Sequence, residues 1–158
     1  MARIYQVTFE NVTVSAAQDL VLITGAAGKM MKILRMWLGH STSSLAAAQM
    51  LRLRARFLPS AVTAGTGGTT GITPSRNDPG DAACSSTTAG TNNTTVATTS
   101  GTAVVRWSQA VHLHAGLDWT FGQPPPIGPS EAFVFELLAA PTGTVAMSGG
   151  VEFQEEGG

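Results

Sequence analysis

His112 and His114 stand two residues apart in the run AVHLHA, so on a strand both imidazoles point to one face. Two imidazoles can begin a metal site, and Asp118 is close in sequence, but His40, beside Gly39 in a turn, supplies no clear third ligand. Paired histidines on a strand face are more commonly surface or interface residues. A second lure is Val21-Leu22-Ile23-Thr24-Gly25-Ala26-Ala27-Gly28, which has the look of the strand and turn that open a dinucleotide site. That chemistry needs a third glycine for close helix packing and an acid roughly 20 residues further on for the ribose. Met31 holds the glycine position, and no Asp or Glu occurs between Asp19 and Asp78. Gly28-Lys29 likewise lacks the spacer and the following hydroxyl of a phosphate loop.

Nucleophilic chemistry fares no better. Ser148-Gly149-Gly150 lacks the preceding glycine of a serine elbow. Cys84 lies in Ala-Ala-Cys-Ser-Ser, a setting of small packed residues, and as the only cysteine it can form no intrachain disulfide. Glu136 interrupts an apolar run and is a candidate buried acid, but one carboxylate is not a mechanism; Glu152, Glu155 and Glu156 crowd the C-terminal strand and tail. The expectation is no enzyme, no cofactor and no metal. Trp119 and Phe121, beside Pro124-Pro125-Pro126, are the most suggestive surface candidates, because aromatics next to a stiff polyproline stretch can dock a partner. The plainer reading is that both rings cap one end of a core.

The elements that would position these residues follow from composition and alternation. The 158 residues are 43% hydrophobic, enough for a real core, yet only 12% charged, against about a quarter in ordinary domains. Thr, Ser, Ala and Gly make up the difference, which suits strands joined by small-residue turns. In Gln49 to Leu58, Leu51, Leu53, Ala55 and Phe57 alternate with Arg52, Arg54 and Arg56. A helix would scatter the arginines among the leucines, whereas a strand lines them up as one solvated row. Tyr5, Val7 and Phe9 alternate in the same way with Gln6, Thr8 and Glu10. Asp19 to Thr24 and Lys29 to Gly39 flank a glycine turn and suggest a hairpin, as do Ala132 to Ala139 and Thr144 to Gln154 around Pro141 to Gly143. Ala103 to Ala115 reads as a strand with a bulge. Asp81 to Ser100 reads as one or two solvent-facing strands broken near Gly90 to Asn93.

These readings predict an all-β chain: an antiparallel sandwich or jelly roll of about eight to ten strands, spanning 1–158 as one domain. Residues 59–80, rich in Gly, Thr and Pro, form one long loop with little to bury, and 155–158 form a flexible tail. Gly65, Gly67, Gly68 and Gly71 raise the entropy cost of ordering that loop, which fits a segment ordered only on a partner.

Net charge is −1, so nothing global asks for nucleic acid or a membrane surface. The charges are uneven: up to Leu58 seven basic residues face two acids, and beyond it Arg76 and Arg106 face eight. Pairing between neighbouring strands is the expected explanation. The start of the chain carries no apolar signal core and no run approaches about 18 apolar residues, so a cytoplasmic product is expected, and the Asn-Val-Thr, Asn-Asn-Thr and Asn-Thr-Thr sequons at Asn11, Asn92 and Asn93 carry little weight.

Arg3 to Lys29, Asp78-Pro79-Gly80-Asp81, Asn92 to Thr95 and LHAGLDWTFGQPPP from Leu113 to Pro126 together resemble small β-rich structural proteins of tailed bacteriophages, most of all capsid decoration (cement) proteins. The resemblance covers most of the chain in style and placement and rests on no diagnostic motif. It implies a virion component, made in the host cytoplasm, that binds the major capsid protein, is often a homotrimer and has no catalytic residue. The contact residues expected on this reading are Ala2, Arg3, Ile4 and Tyr5, then Thr66, Thr69 and Ile72 in the long loop, with Trp119 and Phe121. Two rivals differ in class: a glycan-binding tail or host-surface module, and a small nucleotide-binding enzyme.

Overall fold

In a computed structural model of the chain the described residues are 2–41, 47–85 and 88–156, and they contain fourteen strands and no helix. Two six-stranded sheets carry the architecture, and every pairing in them is antiparallel. The first contains β1 (Arg3–Val14), β3 (Met30–His40), β7 (Ser75–Arg76), β11 (Leu117–Thr120), β12 (Pro126–Ile127) and β14 (Val145–Glu156). Its order is β11-β3-β14-β1-β7, with β12 also on β3. The second runs β10 (Val104–His112), β4 (Met50–Leu58), β13 (Ala132–Leu137), β2 (Gln18–Thr24), β8 (Ala89–Asn93), β6 (Thr69–Ile72). A two-stranded flap of β5 (Val62–Thr63) and β9 (Thr98–Thr99) completes the set. Eight strands have five or more residues.

The sheets bury one shared core. Tyr5, Val7, Met31, Ile33, Met36, Val151 and Phe153 come from the first, and Leu20, Ile23, Leu53, Ala55, Phe133 and Phe135 from the second. Every second residue faces inward because side chains alternate along a strand. The bulge expected in β10 lies between Val105 and Trp107.

β2 and β13 are buried on both faces, which accounts for their near-continuous apolar runs. Their inner faces join the main core. Their outer faces, with Leu22, Ala132 and Val134, join Leu58 and Ala97 in a second small core, against which Val62 and Ala103 pack.

Several expectations are corrected here. The two glycine-flanked pairs are not hairpins: β2 and β3, and likewise β13 and β14, lie in different sheets. Alternation shows that a segment is a strand with an inward face but carries no label for its sheet. Residues 59–80 are not one loop, since β5, β6 and β7 pair with β9, β8 and β1, and Thr66 bridges to Thr95. The expected break near Gly90 to Asn93 is β8, all five residues of which are buried. Of the expected tail, Glu155 and Glu156 belong to β14 and Glu155 is buried, while Gly157 and Gly158 lie outside the described residues.

Candidate functional site

The outer face of the second sheet holds the densest polar chemistry among the described residues. Arg54 faces Glu136 across the β4–β13 ladder and donates to it twice, from Nε to Oε2 at 2.7 Å and from Nη2 to Oε1 at 3.1 Å. Arg56 places Nε 2.9 Å from Glu136 Oε2, off the line of a hydrogen bond and so an ion-pair contact. Its Nη2 donates to Ala97 O at 2.9 Å and lies 3.8 Å from Asp19 Oδ1. Ala97 N–H donates to Asp19 Oδ2 at 2.6 Å. The arginine row is therefore solvated only at Arg52; the side chains of Arg54 and Arg56 retain 29% and 11% of their exposure. Flanking segments fold over this face and trap the charges. Burial pushes the Asp19 carboxyl up to about 6, with the Ala97 N–H and Arg56 pulling it partly back.

Pairing between the basic and acidic parts of the chain extends to the surface. Arg3 pairs with Asp81, Lys32 with Glu156, and Arg35 with Asp118. The Arg35 guanidinium holds the Asp118 carboxyl below its ordinary range. Such pairs fix strand register and cover the sheet.

Residues 64–72 lie as a strap across β8. A Cβ on Gly65 would run into Thr95 O, and one on Gly68 into Thr91 O and Asn92 O, so both positions require glycine for close backbone approach. The glycines thus serve an intramolecular contact, where the sequence reading made them a sign of order supplied from outside. Between strap and strand lies a cleft of about 90 Å³ with Asn93 in its lining. Asn93 is wholly buried, and neither atom of its amide has a hydrogen-bond partner.

The expected contact residues fall on two opposite sides of the sandwich. On the side formed by β6 and β7, Ala2, Thr66 and Thr69 are exposed, while Arg3, Ile4 and Ile72 are half-buried. Tyr5 is corrected: it is 0% exposed, it packs beside Phe153, and its hydroxyl donates to Ala82 O at 2.8 Å, so it belongs to the core. On the other side β10 and β11 are the end strands of their sheets. Trp119 is 38% exposed there, with its ring 5.6 Å from that of Trp107 on β10. Phe121 is half-buried against the core, and its N–H donates to Leu34 O. The sequence reading missed Val104 and Val105, exposed on this same side. Their signal was two adjacent valines at the start of a strand, too large an apolar surface for one face to hide.

The histidines do converge. The His114 ring is 5.4 Å from that of His112 and 5.8 Å from that of His40, at the rim of a cavity of about 470 Å³. His112 Nδ1 accepts the His114 N–H, and among the described residues no three His, Cys, Asp or Glu side chains are placed to hold a metal ion. The nucleotide-like segment leads from β2 through its glycine turn into β3, a strand where a phosphate-binding helix would have to begin. Compared with protein-family models, curated proteins and solved structures, the chain matches none.

Proposed function

We propose that this chain is a non-enzymatic structural protein of a virion, a decoration protein that binds the major capsid protein on a tailed-phage head and acts as a homo-oligomer, with a trimer as the expected form. One support is the resemblance carried by Arg3 to Lys29 and Leu113 to Pro126. The observation that carries most weight is the uncovered side of the sandwich, where β10 and β11 end their sheets and Val104, Val105 and Trp119 are exposed together. A stiff two-sheet frame with apolar groups along open strand edges suits attachment to a preformed, repeated surface, because little ordering entropy is lost on binding.

The test is light scattering during size exclusion, followed by co-sedimentation with purified undecorated phage heads. An oligomer that co-sediments, with binding lost in Val105→Lys, is the expected outcome; heads that never retain the protein at saturating concentration overturn the reading. A glycan-binding role is favoured by one feature, the partly exposed Trp119 ring at this open side of the sandwich. Glycan-array binding that disappears in Trp119→Ala would shift the assignment to it.

A further inference from the structure

β10 is nine residues long, paired to β4 on one side and to no described strand on the other. An edge of that kind presents a row of backbone donors and acceptors to any extended chain that reaches it. Stable proteins usually protect such edges with proline, several charges or a covering segment. β10 has no proline and one charge, Arg106, and its first two residues, Val104 and Val105, are 42% and 50% exposed.

Arg106 differs from most basic residues on the neighbouring strands, although exposed Arg52 on β4 likewise stands outside the ion pairs. Arg3, Lys32, Arg35, Arg54 and Arg56 each have a carboxylate within ion-pair distance, and Arg106 has none among the described residues. Its guanidinium lies 5.8 Å from the centre of the Phe57 ring. Two hollows meet at this residue. One, of about 300 Å³, is walled by Phe121, Gln123 and Pro124 to Pro126; the other, of about 240 Å³, reaches Phe57, Pro59 and Val104. Arg106 and Pro126 line both, so the hollows form one trough beside the strand edge. The one acid in the trough, Glu131, is turned to the Gly128 N–H, which donates to its Oε2 at 2.6 Å.

We infer that β10 takes up an extended segment of a partner protein as an added strand, with an acidic side chain of that segment on Arg106 and apolar ones, on the opposite face of the added strand, over Val105. The charge decides the occupant. A second copy pairing β10 with β10 in the antiparallel register that covers the valines would bring two Arg106 side chains together, which is unfavourable. An acidic strand removes that conflict and supplies the missing carboxylate. The inference rests on reading the chain as a docking module, and not on the partner being a phage head.

The probes are three capped peptides: Thr-Val-Glu-Val-Thr-Val, the same with Lys for Glu, and the same with Pro for the second and fourth residues. Binding is followed by amide shifts in two-dimensional NMR. The Glu peptide is expected to move the amides of Val104 to His112 and to bind about tenfold more tightly than the Lys peptide, with the Pro peptide inactive. Arg106→Glu, checked for an unchanged melting temperature, should reverse the Glu-over-Lys preference. Equal affinity for the Glu and Lys peptides, shifts confined to other strands, or full binding by the Pro peptide would each overturn the proposal. The two readings separate cleanly: peptide preference without co-sedimentation on heads leaves this site standing and removes the capsid, and the reverse places the capsid contact elsewhere.

Discussion

Arg54 stands directly across the β4–β13 ladder from Glu136 and forks onto its carboxylate with two hydrogen bonds, while Arg56 touches the same oxygen from one pleat away. One buried acid thus contacts two guanidinium groups, with Asp19 as the second acid beside Arg56. Removing the acid leaves both without their main partner in a site that water reaches poorly. Glu136→Ala should lower the unfolding free energy by about 3 kcal/mol or more, measured by urea denaturation. Arg54→Ala, on a side chain nearer solvent, should cost clearly less. Equal losses would show that the pair, and not the buried acid, sets the balance.

The pH response of Asp19 has an unusual sign for an acid. Its folded value, about 6, lies above the 3.8 of the free side chain, so the folded protein binds the extra proton between those values. This contribution is fully present below pH ~4 and is lost as pH rises through about 6. Asp19→Asn removes the titration. The stability of the parent relative to this variant should therefore fall by roughly 2 kcal/mol between pH 4 and pH 7. A difference that stays flat, or rises, would mean that Arg56 and the Ala97 N–H outweigh desolvation.

Gly68 and Gly39 offer a matched test of the strap. Gly68→Ala drives a methyl group into the carbonyl oxygens of Thr91 and Asn92, whereas a Cβ on Gly39 meets nothing within 4 Å. The first should destabilise by about 2 kcal/mol and release hydrogen-exchange protection in β8; the second should stay within ~0.5 kcal/mol. Deleting Ala64 to Thr73 should also destabilise the protein, because it removes β6 and uncovers β8. A deletion with an unchanged melting temperature would restore the view of this segment as a free loop.

Trp119 closes over Trp107 and joins the open edges of the two sheets. Trp119→Ala should cost about 1–2 kcal/mol, since the ring is partly exposed but makes an aromatic pair. Trp107 should shift its fluorescence to the red as water reaches it. An unchanged emission spectrum would place Trp119 outside the packing that holds the edges together.

The β character of the chain was legible in the residues alone. Period-2 alternation in Gln49 to Leu58 and in Tyr5 to Phe9 marks strands because side chains on a pleated ribbon point to opposite faces at every step. The interruption of AFVFEL by Glu136 marked a buried acid, and the uneven charge along the chain anticipated ion pairs such as Arg54–Glu136 and Arg3–Asp81. Alternation is a local property, however, and it says which residues share a face without saying what covers that face. Only the fold placed β2 and β3 in separate sheets, laid 64–72 across β8 through Gly65 and Gly68, buried Arg56 with Asp19, and set Trp119 beside Trp107. Arg54 and Glu136 are 82 residues apart in sequence, and their contact arises from strand order. Strand order comes from which faces can bury each other at least cost over the whole chain, a competition among distant segments that no single stretch of residues records.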